Sequence, residues 1–282
     1  MSAWRASPIS VPLSPVSLEP DVALRPLTEE RIVCRQATLS VITDCSATCG
    51  DASDRPVVVL LHGAHRSGSV FLDALEPYRA WADVLLPDLP GYGDSQPPLD
   101  VGIGPSADEI VNLVRRRLRN RRLVLVGESL GGLIGLACCD GRLSVVGLVL
   151  LDPPLSMTKQ WVIQANIAPA CRQTRHWFPA AMAESVFGMD CATGEVRERL
   201  YYSAFVGLTV PCLIVRGDTG LFPVRRTERV PNCFDDVDEM IVRILQPGCR
   251  IERLSDCGQV YIDGGIRCHD LIRAFVADAD RL

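Results

Sequence analysis

The chain is poor in lysine and histidine, and it lacks any long apolar run. Among its 282 residues are four histidines and one lysine, Lys159. No apolar stretch reaches the roughly 18 residues that a membrane-spanning helix needs, so no membrane span is expected. The net charge is −5. The one dense basic run, at residues 115–122, falls at the end of a predicted helix, where the helix dipole favours cations, so no nucleic-acid surface is expected.

Cofactor and metal motifs are also absent. Neither the phosphate-binding pattern G-x-x-x-x-G-K-[ST] nor a dinucleotide-binding G-x-G-x-x-G context occurs, so no cofactor is expected. The twelve cysteines are scattered, without paired CxxC elements or zinc-ligand spacing. The first twenty residues lack the pattern of a signal peptide. Together these features favour reduced thiols, mostly buried, in a cytoplasmic protein.

Short apolar runs rich in β-branched residues alternate with amphipathic helical patterns. This alternation predicts an α/β fold with a doubly wound, mostly parallel, eight-stranded sheet and right-handed crossovers. Because the last run is more polar than the others, it is expected at an edge of the sheet. The predicted strands are a pair within 31–45, then 56–63, 82–91, 122–129, 144–154, 211–218 and 250–256.

Two helices are indicated most clearly. Ser106, three residues before Glu109, reads as a capping box that starts a helix over 107–119. Its apolar residues Ile110, Leu113 and Val114 then fall on one face. A second amphipathic pattern predicts a helix over 266–277.

Composition divides the chain into three parts. Residues 1–28 are rich in proline and serine and predict an irregular N-terminal extension. Residues 29–154 and 209–282 carry the strand and helix patterns of the α/β core. Residues 155–208 are too long for a simple crossover and contain many aromatic and methionine residues, so they predict an inserted helical cap.

The residues Gly127-Glu128-Ser129-Leu130-Gly131 form a G-x-S-x-G motif. It follows the apolar strand LVLVG and opens the apolar helix LGGLIGLACC, which is the context of a nucleophile elbow. In such a turn the glycines avoid side-chain clashes. The serine hydroxyl is raised to the carboxyl end of the sheet, beside a helix N-terminus that favours negative charge.

With this motif the chain resembles the α/β-hydrolase superfamily over roughly residues 30–280. His62-Gly63 ends the strand VVVLLHG as in the family's HG loop, and the sequence DLPGYGDS at 88–95 resembles the family's D-x-P-G-x-G-x-S turn. The resemblance implies an oxyanion hole formed by the backbone N–H groups of Ala64 and Leu130. It implies a structural role for His62 and for the 88–95 turn.

The catalytic acid departs from the family pattern. The family usually places it after the strand that follows the cap, as G-x-x-D, but this chain has Gly220 at that position and Asp218 two residues earlier. A subset of the family uses the preceding strand, which here ends LVLLDPP. The resemblance therefore offers Asp152, which we favour, with Asp218 as the alternative acid. Either carboxylate could instead cap backbone N–H groups at a strand end.

The catalytic base departs further. The family commonly has Gly-His before the last helix, whereas this chain has Gly258-Gln259. Glutamine forms hydrogen bonds but takes no proton at neutral pH. His65 on the oxyanion loop or His176 in the cap could substitute for the base, whereas His269 lies within the last helix.

The sequence thus predicts an enzyme for a small apolar ester, lactone or polyketide-like substrate. Ser129, Asp152 and Gln259 would form its incomplete triad, and Glu128, Trp161, His65 and His176 are candidate pocket residues. Since removal of a triad member costs on the order of 10⁴ to 10⁶ in turnover, the reaction would be hydrolysis of a reactive substrate or a cyclisation, isomerisation or elimination. The alternative is a ligand-binding protein that uses the former active-site cavity. A homodimer is left open.

Overall fold

A computed structural model of the chain describes residues 25–45, 55–161, 163–165, 177–220, 231–258, 260 and 266–279. At its centre lies an eight-stranded sheet. Its strands are β1 (Thr28–Val33), β2 (Thr38–Thr43), β3 (Val57–Leu61), β4 (Asp83–Pro87), β5 (Leu123–Glu128), β6 (Val145–Leu151), β7 (Cys212–Gly217) and β8 (Arg250–Leu254). Their order across the sheet is β1-β2-β4-β3-β5-β6-β7-β8. In this sheet β2 pairs antiparallel with both of its neighbours, and all pairs from β4 to β8 are parallel.

Helices cover both faces of this sheet. Alternate residues of β3 show the division, since Val57, Val59 and Leu61 belong to one buried cluster and Val58 and Leu60 to another. The first cluster includes α2 and α3, and the second includes α1 and α6. The helices are α1 (Glu76–Arg79), α2 (Ile103–Leu118), α3 (Leu130–Ala137), α4 (Trp177–Phe187), α5 (Asp236–Leu245) and α6 (Ile266–Ala279), with 3₁₀ helices at Gly68–Ala74 and Tyr202–Phe205.

The predicted sheet is confirmed. The first predicted pair forms the antiparallel hairpin of β1 and β2, and the polar last strand, β8, lies at an edge. Parallel strands covered on both faces must be apolar throughout, which explains why short apolar runs located them in the sequence.

The predicted start of α2 is wrong. The helix begins at Ile103, after Gly102 with a φ of 140°, so Ser106 and Glu109 lie inside the helix. The Glu109 carboxylate is 1% exposed and accepts hydrogen bonds from the backbone N–H groups of Gln36 (3.0 Å) and Ala37 (3.2 Å). These two N–H groups of the β1–β2 turn, of which that of Ala37 is buried, need an acceptor, and this tertiary contact explains the glutamate better than local capping does.

The interval 155–208, predicted as a cap, lies between β6 and β7. In its described part are α4, the second 3₁₀ helix and two isolated bridges, Ser156 with Leu200 and Met189 with Val196. Phe178 of α4 contacts the turn that follows β4, because a Cβ on Gly91 would fall 2.2 Å from the Phe178 ring. Residues 1–24 of the predicted extension are outside the described part of the chain.

Two further findings concern the whole fold. Within the described ranges, no helix has both the length and the apolar character needed to cross a membrane. None of the ten cysteines that the structure describes takes part in a disulfide, and seven of them are buried.

Replacement of Glu109 by alanine should lower the free energy of unfolding by about 2 to 3 kcal/mol, because two backbone N–H groups, one of them buried, lose their acceptor. Asp108→Ala, at the neighbouring and partly exposed position, should cost less than about 1 kcal/mol. Urea unfolding of both variants measures the difference. Equal stability of the two would show that the Glu109 contacts contribute nothing.

Candidate active site

Ser129 lies at the corner between β5 and α3 in a strained backbone conformation. Its φ is 49° and its ψ is −112°, a region that residues with a side chain rarely adopt. The Ser129 N–H donates a 3.0 Å hydrogen bond to the carbonyl oxygen of Leu151, the last residue of β6. The side chain is partly exposed. The corner therefore has the geometry predicted for a nucleophile elbow.

The two glycines of the motif are required by close contacts of the backbone. A Cβ on Gly127 would lie 2.4 Å from the carbonyl oxygen of Gly131, and a Cβ on Gly131 would lie 2.1 Å from that of Leu61. Neither distance is compatible with a side chain. The carboxyl ends of β3 and β5 and the start of α3 thus meet closely around the serine.

The loop after β3 lies directly against Ser129. A Cβ built on Gly63 would be 3.7 Å from the Ser129 Cβ. Ala64, which follows, is partly buried, and Leu130, which follows the serine, is fully buried. The two residues predicted to supply oxyanion donors therefore flank the serine on adjacent segments.

His62 is fully buried and has a structural role. Its Nε2 accepts a 2.9 Å hydrogen bond from the Leu89 N–H, so Nδ1 carries the proton and donates to the carbonyl oxygen of Gly63 at 2.7 Å. Burial lowers the pKa of His62 to about 4. This neutral ring joins the HG loop to the turn at residues 88–95.

The other histidines do not complete a triad in the described part of the chain. His65 is exposed, with a φ of 59°, and its ring lies edge-on to Tyr92 with 6.1 Å between ring centroids. His269 is buried in α6 against Tyr78. No described imidazole hydrogen bonds to the Ser129 hydroxyl. His176 and Gln259 lie outside the described residues.

Glu128, predicted as a pocket residue, is 1% exposed and forms an ion pair. Its Oε2 accepts from the Arg66 guanidinium at 2.9 Å. Arg66 follows Ala64 by two residues on the HG loop. Sequence reasoning missed Arg66, although a buried carboxylate beside Ser129 needs a cation and so gave an indirect signal.

Asp152 lies at the carboxyl end of β6 and is 2% exposed. Its φ is 50°, so it too has a strained backbone. Its carboxylate accepts hydrogen bonds from the backbone N–H groups of Cys233 and Phe234, both at 2.9 Å. Burial is the largest effect on this carboxyl and raises its pKa to about 7. Asp152 therefore anchors the loop at residues 231–235.

The single lysine reinforces the same loop. Lys159 Nζ lies 3.0 Å from Asp235 Oδ1 and also pairs with Asp238, and both carboxylates are fully buried. Asp235 and Asp238 form a capping box at the start of α5. Gln160 adds a 2.8 Å hydrogen bond to the carbonyl oxygen of Cys233. The segment after β6 is thus bound to the segment before α5.

Asp218, the alternative acid, is exposed at the end of β7. Its carboxylate accepts from the backbone N–H groups of Asp256 (2.9 Å) and Cys257 (3.2 Å). Asp218 thus holds the loop after β8. Trp161, another candidate pocket residue, is 46% exposed.

Comparison with known proteins decides the family. Residues 58–265, well over half of the chain, match the family model described as the Alpha/beta hydrolase family. This chain belongs to the α/β-hydrolase family. The Magnesium-chelatase 30 kDa subunit of Rhodobacter capsulatus is 35% identical over 86 residues, a stretch that covers only 30% of either chain.

Solved structures agree with this α/β-hydrolase fold. Carboxylesterase CesB from Bacillus subtilis matches with a TM-score of 0.64 and 14% identity, covering 90% of this chain and 92% of that chain. The N-acyl homoserine lactonase AidH matches with a TM-score of 0.63 and 16% identity, covering 91% and 98%. At such identities the likeness concerns the fold.

Gly131→Ala should disrupt the elbow of this α/β-hydrolase and lower the free energy of unfolding by at least about 2 kcal/mol, because the new methyl group meets the Leu61 carbonyl. Gly135→Ala, one turn further along α3, is the matched control. There a Cβ meets only side chains at 3.4 and 3.6 Å, so it should be neutral or slightly stabilising. Denaturant unfolding compares the two, and a tolerated Gly131→Ala would contradict the close contact.

Asp152 predicts a dependence of stability on pH. Because its carboxyl binds a proton more tightly in the folded chain, with a pKa of about 7, its contribution is full below the unfolded pKa near 4. That contribution is lost as pH rises from 4 through 7, by at most about 1.4 kcal/mol per pH unit. Urea unfolding between pH 4 and pH 8 should show this slope, and Asp152→Asn should reduce it. The exposed Asp73→Asn control should keep it, and an unchanged slope in Asp152→Asn would contradict the assignment.

Proposed function

We propose that this α/β-hydrolase is an enzyme that acts on the carbonyl group of a small apolar ester, lactone or polyketide-like substrate at Ser129. The observation that carries the proposal is the strained backbone of Ser129 against the HG loop. Strain of this kind costs on the order of 1 to 3 kcal/mol and is typical of functional sites. The strain therefore supports a reaction at this corner.

The electrophilic part of the site is the oxyanion hole. In the proposed mechanism the backbone N–H groups of Ala64 and Leu130 donate to the substrate carbonyl oxygen as negative charge develops on it. The N-terminus of α3 adds a favourable dipole at the same place. Fixed donors of this kind need no proton transfer, so they work without an imidazole.

The proposed reaction requires an acceptor for the proton of the Ser129 hydroxyl. The sequence has Gln259 where the family has histidine, and a glutamine side chain cannot take that proton. The proton must pass to water or to a basic group of the substrate itself. Roughly 10³ to 10⁴ of rate enhancement over water survives from an oxyanion hole and binding alone. The proposed substrate is therefore intrinsically reactive, and the reaction is slow hydrolysis, cyclisation, isomerisation or elimination.

Asp152 is the proposed acid because it is buried and directly follows Leu151, whose carbonyl accepts the Ser129 N–H. Asp218 is the weaker candidate, since it is exposed and binds the loop after β8. Without an imidazole to orient, the contribution of Asp152 is to hold the loop at residues 231–235 through the N–H groups of Cys233 and Phe234.

The related structures support this class of substrate. By their names, CesB acts on carboxylic esters and AidH on N-acyl homoserine lactones. Both are compounds with an acyl carbonyl next to oxygen. The absence of disulfides among the described cysteines fits the proposed reducing, cytoplasmic setting.

The presence of Gln259 favours one alternative. A protein without catalytic activity could keep the cavity and bind a small apolar ligand without turnover. In that case the Ser129 hydroxyl would contribute little, and its removal would leave binding unchanged.

Labelling with a fluorophosphonate probe tests the proposal. We expect slow covalent labelling of Ser129, located by peptide mass spectrometry, and slow turnover of activated esters and lactones. Ser129→Ala should abolish the labelling and lower turnover at least about 100-fold. Ser185→Ala, a partly buried serine of α4, is the control and should behave as wild type. An unlabelled wild-type serine together with equal ligand binding by Ser129→Ala would establish the binding protein instead.

A further inference from the structure

The ion pair between Arg66 and Glu128 lies where two chain segments separate. The parallel ladder between β3 and β5 ends with the pair Leu61 and Gly127. Beyond it β3 continues into the HG loop and β5 into the turn that carries Ser129. The 2.9 Å contact from Arg66 to Glu128 joins the two segments again after the end of this ladder.

The positions of the two charged residues relative to the oxyanion donors are symmetrical. Arg66 follows Ala64 by two residues, and Glu128 precedes Leu130 by two. The ion pair therefore connects the short segments that carry the two proposed donors. By contrast, both ring nitrogens of His62 are engaged within its own loop and with Leu89.

The stem of Arg66 also packs close to the serine. A Cβ built on Gly63 would lie 3.9 Å from the Arg66 Cδ and 3.7 Å from the Ser129 Cβ. Arg66 and Ser129 thus lie on the same side of the HG loop. Because the Glu128 carboxylate is buried, loss of its cationic partner is costly, which makes the contact persistent.

We propose that Arg66 and Glu128 are positioning residues that hold the HG loop in register with the nucleophile elbow, so that the N–H groups of Ala64 and Leu130 converge on one carbonyl oxygen. This inference rests on the proposed function of Ser129. Catalysis by such donors is sensitive to displacement, since a misplacement of about 1 Å can cost on the order of 100-fold in rate. The pair acts through the donors and does not itself contact the substrate.

Steady-state kinetics on an activated ester test the positioning role. Glu128→Gln keeps the shape and removes the charge, and it should lower kcat at least about 10-fold while KM changes less than about 3-fold. Arg66→Lys keeps the charge but loses the planar fork, so it should retain more activity than Arg66→Met.

The matched control is the buried ion pair of Arg79 and Asp44, at 3.0 Å, which lies beside the start of β4, whereas Ser129 follows the carboxyl end of β5. Asp44→Asn should leave kcat and KM at the wild-type values even if it lowers the melting temperature. Equal kcat values for Glu128→Gln and wild type would overturn the proposal, as would an equal loss of kcat in Asp44→Asn.

Backbone hydrogen exchange gives a readout that does not need activity. Amides of residues 63–66 and 129–131 should exchange at least about 10-fold faster in Glu128→Gln than in wild type, and at the wild-type rate in Asp44→Asn. If the wild type neither labels nor turns over ester, the proposed function fails, yet the exchange rates still decide whether the pair holds the loop. Unchanged exchange in Glu128→Gln would overturn the positioning role whatever the activity. Should Glu128→Gln not fold, Arg66→Met is measured in its place with the same criteria.

Discussion

The site depends on the backbone conformation forced on Ser129 where three strands approach one another. β5 supplies the serine, β6 supplies the carbonyl that accepts its N–H, and β3 comes so close that Gly131 has no room for a side chain. The sheet that holds these segments is covered by apolar clusters on both faces. The serine is consequently held between packed strands and a helix rather than on a long loop.

Around this corner, buried charged side chains hold loops in place. Glu128, Asp152, Asp235 and Asp238 are all buried, and each contacts an arginine, a lysine or backbone N–H groups. Burial raises the pKa of Asp152 and of Asp238. The loop before α5 is therefore held by carboxyl groups whose ionised form is destabilised by burial. Such networks specify one arrangement of loops, because each alternative would leave a buried charge without its partner.

Local patterns in the sequence predicted the features that depend on interactions between residues close together in the chain. The strands were found because each is apolar along its length, and the elbow was found because Gly127, Ser129 and Gly131 stand at fixed spacing between a strand and a helix. The start of α2 was misplaced because Glu109 satisfies a turn 72 residues away rather than its own helix end. The partnerships of Glu128 with Arg66 and of Asp152 with Cys233 and Phe234 span 62 to 82 residues, and no local pattern reveals them.

The hydrogen bonds that Asp152 accepts from the main chain of residues 233 and 234 affect how such a site can change through evolution. The two hydrogen bonds that this carboxylate accepts from backbone N–H groups do not depend on an imidazole. Selection for a foldable chain alone would preserve Asp152, and an aspartate at this position is therefore a poor marker of a working proton relay.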